Sequence, residues 1–308
     1  MSHAKPSLTI TDVHAVLERH WRQSAENVSA VEGGNFSSVF SFKIEHRDYV
    51  IRFSDAVDAF QTEHYVADIL SSQDVLYPKT FGRGEEGPFK YCILERIKGS
   101  VVADLQAKQK IELLPDLVRV ITDMNQIQLD STTTGFGPLI PSGNGAYDAW
   151  ESFIKAFYEE NQTGTFWENW HELFRTSCLE RDVFNEIYAR LLTFSKYNSP
   201  HRYFVHGDCH EWNILSDGRS ITGIIDGNCM YGDFLIDIAT VEGAIPDKDV
   251  AQAFRIHYEK KESPISCFNE RLIGARYFKG LDGLRFFAKM GWDHAYVELR
   301  DRLLSITH

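Results

Sequence analysis

The sequence predicts an α+β protein of two lobes: a small antiparallel sheet over residues 1–96, then a larger, mainly helical lobe over 97–308. Three observations predict it. Short β-rich runs separated by polar turns fill the first hundred residues. Rows of apolar residues at helical spacing dominate the remainder. Between them in character, residues 203–226 hold two short apolar runs that bracket a polar, carboxylate-bearing stretch.

In the first lobe, Val13, Val16, Leu17 and His20 recur at helical spacing over Ile10 to Trp21, with Thr11 or Asp12 available as a cap. Strands are predicted over 27–31, 38–44 and 48–53. A helix is predicted over 55–71, with Phe60, Val66, Ala67 and Leu70 on its apolar face and Glu63 on the same face. A carboxylate on such a stripe needs a cationic partner, and Arg52 at the end of the third strand is the candidate. Strands over 79–82 and 89–94, separated by the polar turn 84–87, complete the sheet.

In the second lobe, Leu114, Leu117, Val118, Ile121 and Met124 mark a long amphipathic helix. Residues 131–146 are rich in Gly, Pro, Ser and Thr and are predicted to form an irregular loop. Residues 147–200 are predicted to be a helical insert, dense in aromatic and acidic side chains. Four helices are predicted after residue 247, the last with Trp292, Ala295, Leu299 and Leu303 on its buried face.

Composition excludes several classes. A hydrophobic content of 43% with 25% charged residues is that of a globular protein. No apolar run reaches the length of a membrane span, and Met1 to Pro6 lacks the apolar core of a signal peptide, so a cytoplasmic monomer away from membranes is expected. A net charge of -12 argues against nucleic acid as a partner and suits attraction of a cationic small molecule. Cys92, Cys178, Cys209, Cys229 and Cys267 form no C-x-x-C pair, so reduced thiols are expected rather than a zinc framework.

The chemistry resides in His206-Gly207-Asp208-Cys209-His210-Glu211-Trp212-Asn213. The apolar run 203–205 leads into it, and the hairpin turn Ser216-Asp217-Gly218-Arg219 then returns the chain through 221–225 to Asp226. Asp208 precedes Asn213 by five positions, the offset of the kinase catalytic loop H-R-D-x-x-x-x-N. In that pattern the first Asp orients the acceptor hydroxyl and takes its proton. The Asn and a later Asp, here Asn213 and Asp226, supply hard oxygen ligands for Mg2+. By the same comparison the Gly33-Gly34 loop, with Gly34, Ser37 and Ser38, is where backbone and hydroxyl donors meet nucleotide phosphates. Arg52 stands where a kinase has Lys and remains a phosphate ligand, braced by Glu63. The Glu95 carbonyl and Ile97 amide are the expected contacts to the base of ATP or GTP.

The eight-residue stretch resembles the H-G-D-x-H-x-x-N signature of aminoglycoside phosphotransferases and their choline kinase-like relatives. Tyr49 to Phe53, Thr134 to Pro138, Trp150 to Phe153 and Gly280 to Leu284 resemble the members that phosphorylate hygromycin B, in the same order along the chain. The resemblance implies a bilobal protein-kinase-like fold. It also implies transfer of a γ-phosphoryl group to a hydroxyl of an aminoglycoside or aminocyclitol such as hygromycin B, and hence antibiotic resistance. His206 and His210, the histidines of the signature, take supporting places. Gly232 to Ala239 resembles the family's G-D-P-x-x-D-L-A, which implies that Asp233 caps a helix and Asp237 braces the catalytic loop. Phe234 replaces the Pro of that pattern, and Gly227 replaces a customary aromatic, a change expected to loosen the loop or widen the pocket. The acids of the insert are the expected receivers of acceptor ammonium groups. Two alternatives stay open: a metabolic kinase for choline, a sugar or an amino alcohol, and a nucleotide-binding pseudokinase, which the Arg52 substitution motivates.

Overall fold

In β3 (Arg47–Ser54) the side chains of Tyr49, Ile51 and Phe53 are buried and alternate with partly exposed ones, the two-residue period of a strand with one face on a core. That core joins them to Phe40, Phe42 and Ile44 of β2 (Ser38–Ile44) and to Val13, Val16 and Leu17 of α1 (Ile10–Trp21). β1 (Glu26–Val31), β4 (Thr80–Glu86) and β5 (Phe89–Glu95) complete an antiparallel sheet in the order β1-β2-β3-β5-β4. The computed structural model describes residues 5–21, 23–32 and 37–307. Its first compact unit is Met1–Gly99 with Thr222–Ile225; its second is Ser100–Ile221 with Asp226–His308. The return of 222–225 to the first unit has a local cause. The Ile224 amide donates to the Leu76 carbonyl at 2.9 Å, and the Ile97 side chain fills the space a Cβ on Gly223 would need.

Two expectations for this unit are corrected. The helix predicted over 55–71 begins only at Glu63, as α2 (Glu63–Ser71). Phe60 lies in the left-handed region, φ +61°, which interrupts any helix there. The carbonyls of Phe60 and Gln61 are taken by Arg83 Nη1, at 3.4 and 2.8 Å, rather than by a following turn of helix. The polar stretch at 84–86 is strand, not turn: Gly84, Glu85 and Glu86 pair with Tyr91, Lys90 and Phe89, and Lys90 forms an ion pair with Glu85.

The second unit opens with β6 (Ser100–Val101) and α3 (Ala107–Asn125), which starts in a capping box between Gln106 and Gln109. The loop predicted over 131–146 contains instead a hairpin, β7 (Phe136–Leu139) and β8 (Gly145–Tyr147). Its partner is distant in sequence. β12 (Met230–Gly232) pairs with β7 on one side and with β9 (Tyr203–Val205) on the other, so a Gly-rich segment with little strand propensity is held by tertiary pairing. The insert supplies α4 (Trp150–Phe157), α5 (Leu173–Thr176) and α6 (Arg181–Asn198). β10 (Ile214–Ser216) and β11 (Ile221–Ile224) flank the tight turn, in which Asp217 Oδ1 accepts the amides of Arg219 and Ser220. Then follow α7 (Leu235–Val241), α8 (Val250–Lys260), α9 (Phe268–Met290) and α10 (Asp293–Leu304). α10 packs closely on α9, where a Cβ on Gly280 would lie 2.4 Å from Leu303. Among the described residues no helix is long and apolar enough to cross a membrane.

The architecture is therefore α+β, an antiparallel sheet unit followed by a mainly helical one.

Candidate active site

The catalytic stretch leaves β9 buried and turns sharply at Gly207, φ +77°. Only glycine fits here, since a Cβ would lie 2.3 Å from the Asn228 carbonyl oxygen. Asp237, in the first turn of α7, lies fully buried beneath this turn. Its Oδ2 accepts the His206 amide at 2.8 Å and its Oδ1 accepts the Gly207 amide at 2.8 Å. Asn125, at the end of α3, donates to the same carboxylate at 2.7 Å and to the Phe204 carbonyl at 3.1 Å. Burial raises the pKa of Asp237, and the charge of His206 and the hydrogen bonds from Asn125 and the two amides oppose that rise. Burial also lowers the pKa of the His206 imidazole, with Asp237 the largest opposing influence. Replacing Gly207 by Ala is expected to lower stability by more than about 1 kcal/mol and turnover by roughly tenfold. An Ala variant as stable and active as the parent, by thermal unfolding and phosphorylation assay, would refute this loop geometry.

Asp208 projects beyond the turn. His210 Nε2 lies 3.4 Å from its Oδ2, and Asn213 Nδ2 donates to Oδ2 at 3.2 Å and to the Asp208 carbonyl at 3.0 Å. Lys279 of α9 lies 3.9 Å from Oδ1 and donates to the Gly207 carbonyl at 2.7 Å. Burial alone would raise the Asp208 pKa; the His210 hydrogen bond and the Lys279 charge outweigh it, and the carboxyl sits below its ordinary value. The group is thus an anion at neutral pH.

Asp226 follows β11 in the left-handed region, φ +59°, and its carbonyl lies 3.5 Å from Asn213 Nδ2. The structure therefore brings Asp208 and Asn213 into contact and sets the Asp226 backbone beside Asn213. Asn213 is held by its nitrogen end, and the oxygen end is the one a cation takes. Among the described residues no cluster of three or more His, Cys, Asp or Glu could hold a metal. Mg2+ does not need one, because it commonly uses one or two protein oxygens and completes its shell with phosphate and water. The donor set fits it.

A Cβ on Gly227 would meet Cys229 Sγ at 2.5 Å and the His206 ring at 3.1 Å, so the glycine permits close packing. Cys209 is fully buried, and burial raises its thiol well above its ordinary pKa.

Asp233 is more than a cap. Its Oδ1 accepts the Leu235 amide at 3.0 Å, but both oxygens are also clasped by Arg271 of α9, at 2.9 and 2.8 Å, and by Asn198 at 2.8 Å. The whole cluster is buried.

In the first unit, Arg52 pairs directly with Cys92 and Val39 across the sheet, on the face opposite Ile51 and Phe53. Its Nη1 lies 3.7 Å from Glu63 Oε1, and its guanidinium lies 5.4 Å from the Phe60 ring centroid. The Cys92 thiol behind them is pushed up to about 12, by burial first and by Glu63 second. Of the other expected nucleotide contacts, Gly34 lies outside the described residues. Ser37 is buried, and the Ser38 hydroxyl donates to the Pro6 carbonyl at 2.6 Å. The Glu95 amide donates to the Lys79 carbonyl at 2.8 Å, closing the sheet just before Ile97.

Sequence reasoning missed Lys279, Asn125, Asn198 and Arg271. A signal existed for two of them. On α9 Lys279 and Arg271 stand among buried Leu272, Ala275, Phe278 and Leu281, and a cation in an apolar row demands a partner. Asn125 and Asn198 are ordinary polar residues near helix ends and gave no signal.

Comparison with known proteins places this geometry. The hygromycin-B 4-O-kinase of Escherichia coli is 28% identical over 243 residues, which are 77% of this chain and 67% of that protein. A crystal structure of a thermostable mutant of aminoglycoside phosphotransferase APH(4)-Ia, in ternary complex with AMP-PNP and hygromycin B, is 25% identical. It superposes with a TM-score of 0.78 over 96% of this chain and 97% of that one. Spectinomycin phosphotransferase APH(9)-Ia, at 14% identity and a TM-score of 0.65 over 97% and 99% of the two chains, shares the fold. The profile described as the phosphotransferase enzyme family matches residues 27–262, a span that runs from β1 through the Asp208 loop to the end of α8. The chain belongs to that family and is a kinase-fold phosphotransferase that takes a hydroxyl group as acceptor.

Proposed function

We propose that the protein transfers the γ-phosphoryl group of ATP to a hydroxyl of an aminocyclitol antibiotic, with hygromycin B the first acceptor to try. One observation carries the reading: an anionic Asp208 held beside Asn213, which in turn reaches Asp226. Asp208 orients the acceptor hydroxyl and accepts its proton as the oxygen attacks phosphorus. Asn213 and Asp226 would hold Mg2+, which when bound neutralises charge on the phosphoryl oxygens. Arg52, braced by Glu63, takes phosphate oxygens from ATP, and the Glu95 carbonyl and Ile97 amide take its base. Most of the rate comes from positioning and charge, since phosphoryl transfer asks for little covalent chemistry from the protein. The names of two relatives support the acceptor, and the AMP-PNP bound in one of them supports ATP over GTP. The acidic chain favours a polycationic acceptor. The enzyme would act in the cytoplasm as a monomer and make its host resistant.

The test is a turnover panel with ATP and GTP, with and without Mg2+, across hygromycin B, other aminoglycosides, choline and simple sugars. Mg2+- and ATP-dependent phosphorylation of hygromycin B is expected. Turnover restricted to choline or a sugar would make it a metabolic kinase. Nucleotide binding without turnover would make it a pseudokinase.

A further inference from the structure

We propose that Lys279 is a positioning residue of the phosphoryl transfer, fixing the Asp208 loop and the carboxylate oxygen that meets the acceptor. The inference rests on the reading of Asp208 given above. The two oxygens of that carboxylate are differently engaged. Oδ2 faces His210 and Asn213, at 3.4 and 3.2 Å. Oδ1 faces Lys279 at 3.9 Å, beyond hydrogen-bond length, and so keeps room for an acceptor hydroxyl. In the transfer, the acceptor oxygen bonds to the γ-phosphorus. The bond from phosphorus to the β,γ-bridging oxygen breaks, with its electron pair leaving on ADP, and the hydroxyl proton passes to Asp208 Oδ1.

Lys279 is itself well fixed. Its Nζ donates to the Gly207 carbonyl at 2.7 Å, while the Gly207 amide is held by Asp237 on the other side. Gly207, the residue before the base, is thereby clamped between α7 and α9. The lysine is only 22% exposed, and α9 packs closely on α10 at Gly280. A cation at this place also disfavours any acceptor pose that brings an ammonium group next to the reacting hydroxyl, so it contributes to the choice of hydroxyl.

Two variants test the role. Lys279→Gln removes the charge and, one bond shorter, also withdraws from the Gly207 carbonyl; Lys279→Arg keeps the charge and a donor long enough to reach it. With hygromycin B as probe, and acceptor-free ATP hydrolysis measured alongside, Lys279→Gln is expected to lower kcat by about 10- to 100-fold. KM for ATP should stay within about threefold. Lys279→Arg should recover most of the loss. A residue with only a structural role would lose kcat in step with the thermal midpoint, with KM for ATP moving too and no rescue by Arg. That result, or an unchanged kcat in Lys279→Gln, overturns the proposal. If the parent turns over only another acceptor of the panel, the same variants are read with that acceptor; a parent inert with every acceptor removes the reading of Asp208, and the role of Lys279 goes with it.

Discussion

Asp208→Asn is expected to lower kcat by roughly 10²- to 10⁴-fold while leaving ATP affinity within about twofold. The substitution preserves shape. An amide oxygen at the Oδ2 position can still accept from Asn213 and face His210, so the turn at Gly207 and its support from Asp237 remain. What disappears is a group able to take the acceptor's proton and the negative charge that orients the hydroxyl. The loss should therefore fall on kcat, because the interaction matters in the transition state more than in the ground state. Steady-state kinetics with ATP titrated at saturating acceptor, plus direct nucleotide binding, would settle it. Turnover equal to the parent removes Asp208 as the base.

A second large effect is expected far from the reacting atoms. Arg271→Met should cost about 3–5 kcal/mol, because it strands a buried carboxylate, Asp233, without its cation. For a unit of this size that is a fall in Tm on the order of 10 °C. Asn198 remains to donate one hydrogen bond, and the Leu235 amide another, but neither neutralises the charge. The double variant Arg271→Met with Asp233→Asn should regain most of the loss, since it removes both charges together. Thermal unfolding of the single and double variants closes the cycle. A double variant no better than Arg271→Met alone would show that the cost lies in lost packing of the arginine over the Phe234 ring, not in the ion pair. Turnover should fall with stability in the single variant. Asp233 opens the helix that carries Asp237, and Asp237 holds the amides of the catalytic turn.

The sheet of the first unit was legible because its strands follow a two-residue period with short polar turns between them, and α1 because Val13, Val16 and Leu17 share one face. The start of α2 was not. Phe60 fits an apolar helical row as well as it fits the place it takes against Arg52, and only Arg83, twenty-three residues on, favours the second. The hairpin of β7 and β8 was invisible for a similar reason: Gly137 and Pro138 are poor strand formers, and their partners are Tyr231 and Met230. The close packing at Gly227 was not legible either, because His206, one of the groups it meets, is twenty-one residues away in the chain.

That Asp208, Asn213 and Asp226 are candidates for one site was legible in the chain alone, because phosphoryl transfer demands particular groups at a particular spacing, and spacing is a property of sequence. Which oxygen of Asp208 stays open, which lysine faces it and which buried arginine anchors the helix beneath it were decided by packing. Those partners come from α9, Lys279 lying 71 residues after Asp208 and Arg271 lying 38 after Asp233, and long-range charge pairing leaves no fixed interval for a motif to record.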